Sequence, residues 1–287
     1  MQIRTDLALE KREIYGKGEI EGVRVTEEQN SDCKSCEIDV LNAAGASALG
    51  KPEGKYITVE MDALPDSASM CDGRLDAICA ALEKLLPESG SVLVAGLGNT
   101  AITPDALGPQ CAELIFATRH IPQKTREELR LPALREVSAV IPGVTGKTGI
   151  EATEIIASIV KKIKPSAIIT VDALAAMSVK RLAKTVQLCN TGIEPGSGVG
   201  NARSALNEET LGAPVIALGV PTVVDALSIA RDVAGDIDGR AFEEYSLMMV
   251  TPRDTDVITR SAARLLALAI NCTLQKNLSR EELISLM

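Results

Sequence analysis

Two acidic side chains, Asp105 and Asp172, occupy positions where carboxylates can do chemistry. Asp105 lies in SVLVAGLGNTAITPDALGP, residues 91–109, after a short apolar run that reads as a buried strand over 92–96. Thr103 and Pro104 suit a capped first helical turn, which sets Asp105 near a helix N-terminus. Asp172 closes a second run, SAIITVD, residues 166–172. In a parallel sheet both would stand at the carboxyl edge of the strands, where open α/β sheets bind ligands. Two carboxyls sharing a site resist double ionisation, so one keeps a proton as general acid and the other serves as base. Such a pair suits amide hydrolysis: one carboxyl activates water, the other protonates the carbonyl oxygen or the leaving nitrogen. Spacing alone also allows Asp105 to complement a helix dipole and Asp172 to cap the next helix.

Other motifs carry less. Gly96-Leu97-Gly98-Asn99-Thr100-Ala101 fits a dinucleotide fingerprint after a strand, but Thr103-Pro104 postpones the helix that should open inside it. Gly146-Lys147-Thr148 looks like the end of a phosphate-binding loop, yet Ile141 stands where the first glycine is required; Lys147 is left as a substrate contact. Gly196-Ser197-Gly198 is not a nucleophile elbow, since Pro195 replaces the needed glycine, but its backbone N–H groups could hold a peptide or an oxyanion. Gly98 and Asn99, in the short polar loop after the 92–96 strand, are assigned to substrate binding. His120 is the only histidine and follows the first helix away from the active edge, which argues against Ser–His or Cys–His catalysis. Cys33 and Cys36 have no matching second pair, so they read as incidental thiols and no metal is expected.

The elements that must position these residues alternate strand and helix. Strands are expected at 56–60, 92–96, 137–141, 167–171, 186–188 and 214–220. Helices are expected over 74–86, 105–118, from about 149 to 164, after 172 to 184, within 221–235, and over 256–271 and 279–286. Thr148 with Glu151 has capping-box spacing. Residues 1–55 are charged and glycine-dotted and read as a tail, a peripheral hairpin and loops. The pattern predicts an α/β fold, a mostly parallel central sheet sandwiched by helices, in a single domain.

Composition narrows the partners. The chain has 287 residues, 46% hydrophobic and only 2% aromatic, so the core must be aliphatic. A net charge of −9 with no basic cluster argues against nucleic acid. No run approaches the roughly 20 apolar residues of a membrane span, and the charged N-terminus is not a secretory signal. Seven cysteines, an odd number, point to reduced thiols and a cytoplasmic setting.

Four segments in order, GLGNTAITPDALGP, VIPGVTGKTGIEATEII, TVDALAAMSVKRL and NTGIEPGSGVGNAR, resemble the germination protease (spore protease) family. The resemblance covers most of the chain and implies a fold similar to the hydrogenase-maturation proteases, assembled as a homotetramer. It implies an aspartic endopeptidase that degrades small acid-soluble spore proteins during germination, in the spore core or forespore, without a cofactor. The family's two proposed catalytic aspartates fall on Asp105 and Asp172, in the TPDALGP and DALAA motifs. Members are made as zymogens cut at a site that mimics substrate, an acidic residue followed by apolar-Ala-x-Glu. Thr5-Asp6-Leu7-Ala8-Leu9-Glu10 fits, so the expected cut lies between Asp6 and Leu7, with residues 1–6 as leader and 7–287 as the protease domain. Three other readings are weighed against this one: a metal-assisted maturation-type protease, a nicotinamide oxidoreductase, and a silent homologue that binds spore proteins without cutting them.

Overall fold

A computed structural model describes residues 5–16, 18–64, 71–128, 132–196, 204–235, 245 and 248–287. In chain order the first third holds α1 (Ala8–Ile14), β1 (Val23–Gln29), β2 (Cys33–Val40), α2 (Ala43–Leu49), β3 (Gly54–Met61) and α3 (Gly73–Leu85). Then come β4 (Val92–Gly96), α4 (Leu107–Glu113), α5 (Gln123–Glu128), β5 (Val137–Val140), α6 (Thr145–Thr148) and α7 (Ala152–Ile163). β6 (Ala167–Ala176), β7 (Thr185–Cys189), α8 (Glu208–Leu211), β8 (Val215–Asp225) and α9 (Ala226–Ala234) follow. The chain closes with β9 (Met249–Val250), α10 (Thr255–Leu274) and α11 (Arg280–Ser285).

The α/β class is as expected, but the sheet is mixed rather than mostly parallel. Its order is β1-β2-β3-β7-β8-β6-β4-β5, with β9 paired to β8. Only the half β8-β6-β4-β5 is parallel; β1, β2, β3 and β7 are antiparallel to their neighbours. The short connections of the N-terminal part allow hairpins, whereas the parallel half has longer crossovers. The charged N-terminal region therefore extends the main sheet, and α1 packs into it with Leu7 and Ala8 fully buried.

Strands of the parallel half read as unbroken apolar runs because both faces are covered. Val92 and Val94 of β4 join one cluster with Ile169, Leu218, Leu82 of α3, Cys111 of α4 and the buried face of α10. Leu93 and Ala95 point the other way, to Ile168, Val215, and Ile156 and Val160 of α7. α10 is the helix whose length and mean hydropathy would suit a membrane, but 67% of that window is buried inside the protein, which makes it the core helix.

Several boundaries moved for identifiable reasons. The helix expected over 105–118 is a 3-10 turn, Thr103–Asp105, followed by the short α4, and the Thr103 side chain does not cap it. α7 starts at Ala152, because the Thr148 hydroxyl bonds Val144 and Ile150 instead of the helix start. The largest change is in length: β6 runs on to Ala176 and β8 to Asp225, so no helix starts at Asp172 and the one expected to reach 184 is reduced to a 3-10 turn, Val179–Arg181.

The antiparallel edge carries an ion cluster on β2 and β3. Lys55 pairs with Glu37 and, at 2.8 Å, with Asp39; Lys84 reaches Glu37 at 3.1 Å and Arg24 reaches Asp39 at 3.1 Å. Partial burial pushes both carboxyls up, but the hydrogen bonds and charges of these cations outweigh it, so both titrate below their ordinary values of 4.5 and 3.8. Their contribution to stability is complete above the ordinary values and is lost as pH falls through the lowered ones. Urea unfolding from pH 7 down to pH about 3 should therefore show a stability loss that Lys55→Met makes smaller, with little change near neutrality beyond the lost pairs.

Candidate active site

Both aspartates line one cavity of about 360 Å³ at the carboxyl edge of the parallel half. Register explains how. β4 ends where Gly96 faces Val171, while β6 continues alongside β8 from Asp172, opposite Gly219, to Ala176. Asp172 is thus the first residue of β6 that has lost its β4 neighbour, although it lies in mid-strand. It is 6% exposed, and its Oδ1 accepts the Ala173 amide at 2.9 Å.

Asp105 arrives from the loop that departs at Gly96. The Asn99 amide donates to its Oδ2 at 2.8 Å and to its carbonyl oxygen at 3.1 Å, which ties the turn back on the loop. Gly98 has φ +119, and a Cβ there would stand 2.0 Å from the Asp105 carbonyl oxygen, so only glycine fits. From behind, the Thr222 hydroxyl donates to Pro104 O at 2.8 Å and that of Thr259 to Thr103 O at 3.3 Å. β8 and α10 therefore fix the Asp105 turn, a dependence no local motif reveals. α4 then packs down through Gly108, whose missing Cβ would otherwise sit 2.2 Å from Leu97 O and 2.3 Å from Val171 O.

The other expected site residues divide. Gly98 and Gly196 line the cavity; Asn99 does not, and acts by holding Asp105. Lys147 is exposed on α6 and outside the cavity wall, although Gly143 and Val144 just before it belong to that wall. Ser197 and Gly198 lie outside the described residues. His120 is exposed. Among the described residues no group of three His, Cys, Asp or Glu is disposed to hold a metal. Cys33 and Cys36 are buried in two different clusters, which suits packing, and burial pushes the Cys36 thiol up to about 11. Leu97 to Ala101 open no helix, so the fingerprint glycines lack the element that would bind a pyrophosphate.

Asp6, Glu151, Leu174, Ile193, Glu194, Thr222 and Met249 also line the cavity, contributed by segments distant in sequence. Asp6 is the least expected. Its amide donates to Ala175 O at 3.0 Å and its Oδ2 accepts the Ala175 amide at 2.8 Å, so residue 6 is laced to the tip of β6. Beyond it Leu7, Ala8 and Glu10 are 0% exposed. The Glu10 carboxylate accepts the Met177 and Ser178 amides at 2.6 and 3.0 Å and the Thr5 hydroxyl, with Arg181 at 3.7 Å. Arg181 also reaches Glu13 at 2.6 Å and Glu60 at 2.7 Å. A carboxylate so deeply buried is tolerable because each of these partners donates to it.

A family model described as germination protease matches residues 4–238. The chain belongs to the germination protease family. It is 42% identical over 322 aligned positions to the germination protease of Clostridium perfringens (strain SM101 / Type A), covering 98% of each chain. To that of Caldanaerobacter subterraneus subsp. tengcongensis it is 39% identical over 318 positions, covering 99% of this chain and 98% of the relative. The germination protease of Priestia megaterium is 41% identical over 244 positions, 80% of this chain and 65% of its own. Among solved structures, the NiFe hydrogenase maturation protease HycI from Thermococcus kodakarensis KOD1 overlays 68% of this chain and 98% of its own, at 17% identity and a TM-score of 0.39. Membership makes the chain a protease of spore germination.

The packing at residue 108 gives a direct test of how the cavity is held. Gly108→Ala should force α4 off the ends of β4 and β6 and cost about 2 kcal/mol or more, within the range of overpacked cores. Denaturant unfolding measures the loss, and hydrogen exchange should show it concentrated at residues 97–113.

Proposed function

We propose that this germination protease is an aspartic endopeptidase that hydrolyses small acid-soluble spore proteins with Asp105 and Asp172. The observation that carries the reading is that both aspartates, from separate segments, line one cavity. Two carboxyls in one site divide their protonation: one ionised, one neutral. The ionised carboxylate takes a proton from a water molecule as that water attacks the substrate carbonyl. The neutral one protonates the carbonyl oxygen. As the carbon–nitrogen bond breaks, the carboxyl that took the water proton passes it to the leaving nitrogen, and a hydroxyl of the gem-diol intermediate returns its proton to the other, so the pair ends with the one proton it began with. Mid-strand placement suits Asp172 for this work, since a carboxyl on a ladder between β8 and the β4 edge moves little.

The apolar rim of Leu97, Ile102, Pro104, Val144, Leu174 and Val223 would take apolar substrate side chains. Residues 1–6 are the leader in this reading and 7–287 the protease domain, with the cut between Asp6 and Leu7. The substrate-like order Asp6-Leu7-Ala8-Leu9-Glu10, together with the opening of Asp6 onto the aspartate cavity, supports that choice. Assembly as a homotetramer and action inside the spore follow from the family resemblance, and no cofactor, nucleic acid or membrane is needed.

Asp105→Asn and Asp172→Asn, made singly, should each slow cleavage of an added small acid-soluble spore protein by about 10²–10⁴-fold, the range of a lost general acid or base. Gel and mass analysis of the fragments read the rate, and circular dichroism checks the fold. Wild-type cleavage should persist in excess EDTA. Either variant cutting at the wild-type rate removes that aspartate from the mechanism.

A further inference from the structure

The carbonyl oxygen of Asp6 is gripped by two side chains that the reading above does not use. Lys51 Nζ and Gln187 Nε2 each donate to it at 2.9 Å. Gln187 works on both sides of Leu7, since its Oε1 accepts the Ala8 amide at 2.6 Å. One side-chain amide thus brackets the Asp6–Leu7 bond. The Leu7 side chain is sealed among Leu174, Ala176 and Ile193, and the amide and Oδ2 of Asp6 are bonded to Ala175. Asp6 also stands between two cavities: the one holding Asp105 and Asp172, and a neighbour of about 530 Å³ lined by Lys51 and Gln187.

We infer that Lys51 and Gln187 are the oxyanion donors for hydrolysis of the Asp6–Leu7 bond within the chain's own fold. This rests on the reading of Asp105 and Asp172 as the water-activating pair and of residues 1–6 as leader. Water adds to the Asp6 carbonyl carbon and gives its proton to the ionised member of the pair. The carbonyl oxygen takes the negative charge against the Lys51 ammonium and the Gln187 N–H. The carbon–nitrogen bond then breaks, a carboxyl of the pair passes its proton to the Leu7 nitrogen, and the products are an Asp6 carboxyl group and a Leu7 amine.

Physical chemistry favours these donors in the transition state over the ground state. An uncharged carbonyl offers Lys51 only a partial charge, whereas an oxyanion offers a full one. Burial pulls the Lys51 ammonium down from its ordinary range, and the nearby Asp6 carboxylate opposes this only in part. A desolvated cation gains more from a developing anion than a solvated one does.

The test follows leader loss in freshly purified full-length chain, by intact mass and N-terminal sequencing, with thermal melting recorded for every variant. Gln187→Glu keeps an acceptor for the Ala8 amide and removes the donor to Asp6; Lys51→Met keeps the stem and removes the charge. Each should process about 10²–10³-fold more slowly, the cost of one lost oxyanion donor, and Lys51→Arg should recover part of the rate. The wild-type rate constant should not change on hundredfold dilution. If Gln187→Glu is unfolded by its melt, Lys51→Met decides alone. Wild-type rates in a folded Lys51→Met, a concentration-dependent rate, or an intact Asp6–Leu7 bond in the wild type would each overturn the inference. A chain that degrades added spore protein while leaving its own Asp6–Leu7 bond whole overturns this inference and leaves the reading of Asp105 and Asp172 standing; a chain that does neither overturns both.

Discussion

The structure turns on a mismatch of strand lengths. β6 and β8 pair for five more positions after β4 has stopped at Gly96, so a β6–β8 tongue, joined by β9 at its far end, projects past the four-stranded parallel floor. The step between them is the wall of the cavity. Asp172 sits at its base, the Asp105 turn is folded over it, and the N-terminal segment is laced to its tip at Ala175. Asp172 and Asp6 are held by that ladder, and the Asp105 turn is tied to it through Thr222 and to α10 through Thr259, which is how residues 6, 105 and 172 come to share a cavity.

The tongue also explains what the amino-acid sequence conceals. DALAA and PTVVD look like helix starts, because alanine, leucine and a capping aspartate favour that state. They are strand because each supplies the other's partners: Asp172 faces Gly219 and Ala176 faces Val224. Pairing at long range overrides local preference here. The two aspartates were still legible, since the position of a carboxylate just past an apolar run depends only on the floor strands, whose patterning is strong. What lay beyond reach was the support. Thr222, Thr259 and Gln187 come from three different elements and Lys51 from the connection between α2 and β3, and nothing in their spacing links them to residues 6 or 105.

The charged N-terminus is the other instructive failure. Counting acids and bases makes residues 1–55 look peripheral, yet Glu10 is among the most buried residues of the chain. Two main-chain amides at the end of β6 and the Thr5 hydroxyl replace its water, so its burial is specific and tolerable. Charge counting is blind to such replacement, because the donors are backbone groups that every sequence has.

That arrangement has a consequence for biosynthesis. Residues 5–10 leave the ribosome well before their seat, which is made of Lys51, β6, the turn at 177–178 and Gln187, with β8 beside them. Residues 5–10 therefore dock only after the chain has emerged as far as β8. Until then they have no partner and no catalyst. Translation itself supplies the delay, and the order of synthesis runs opposite to the order of assembly.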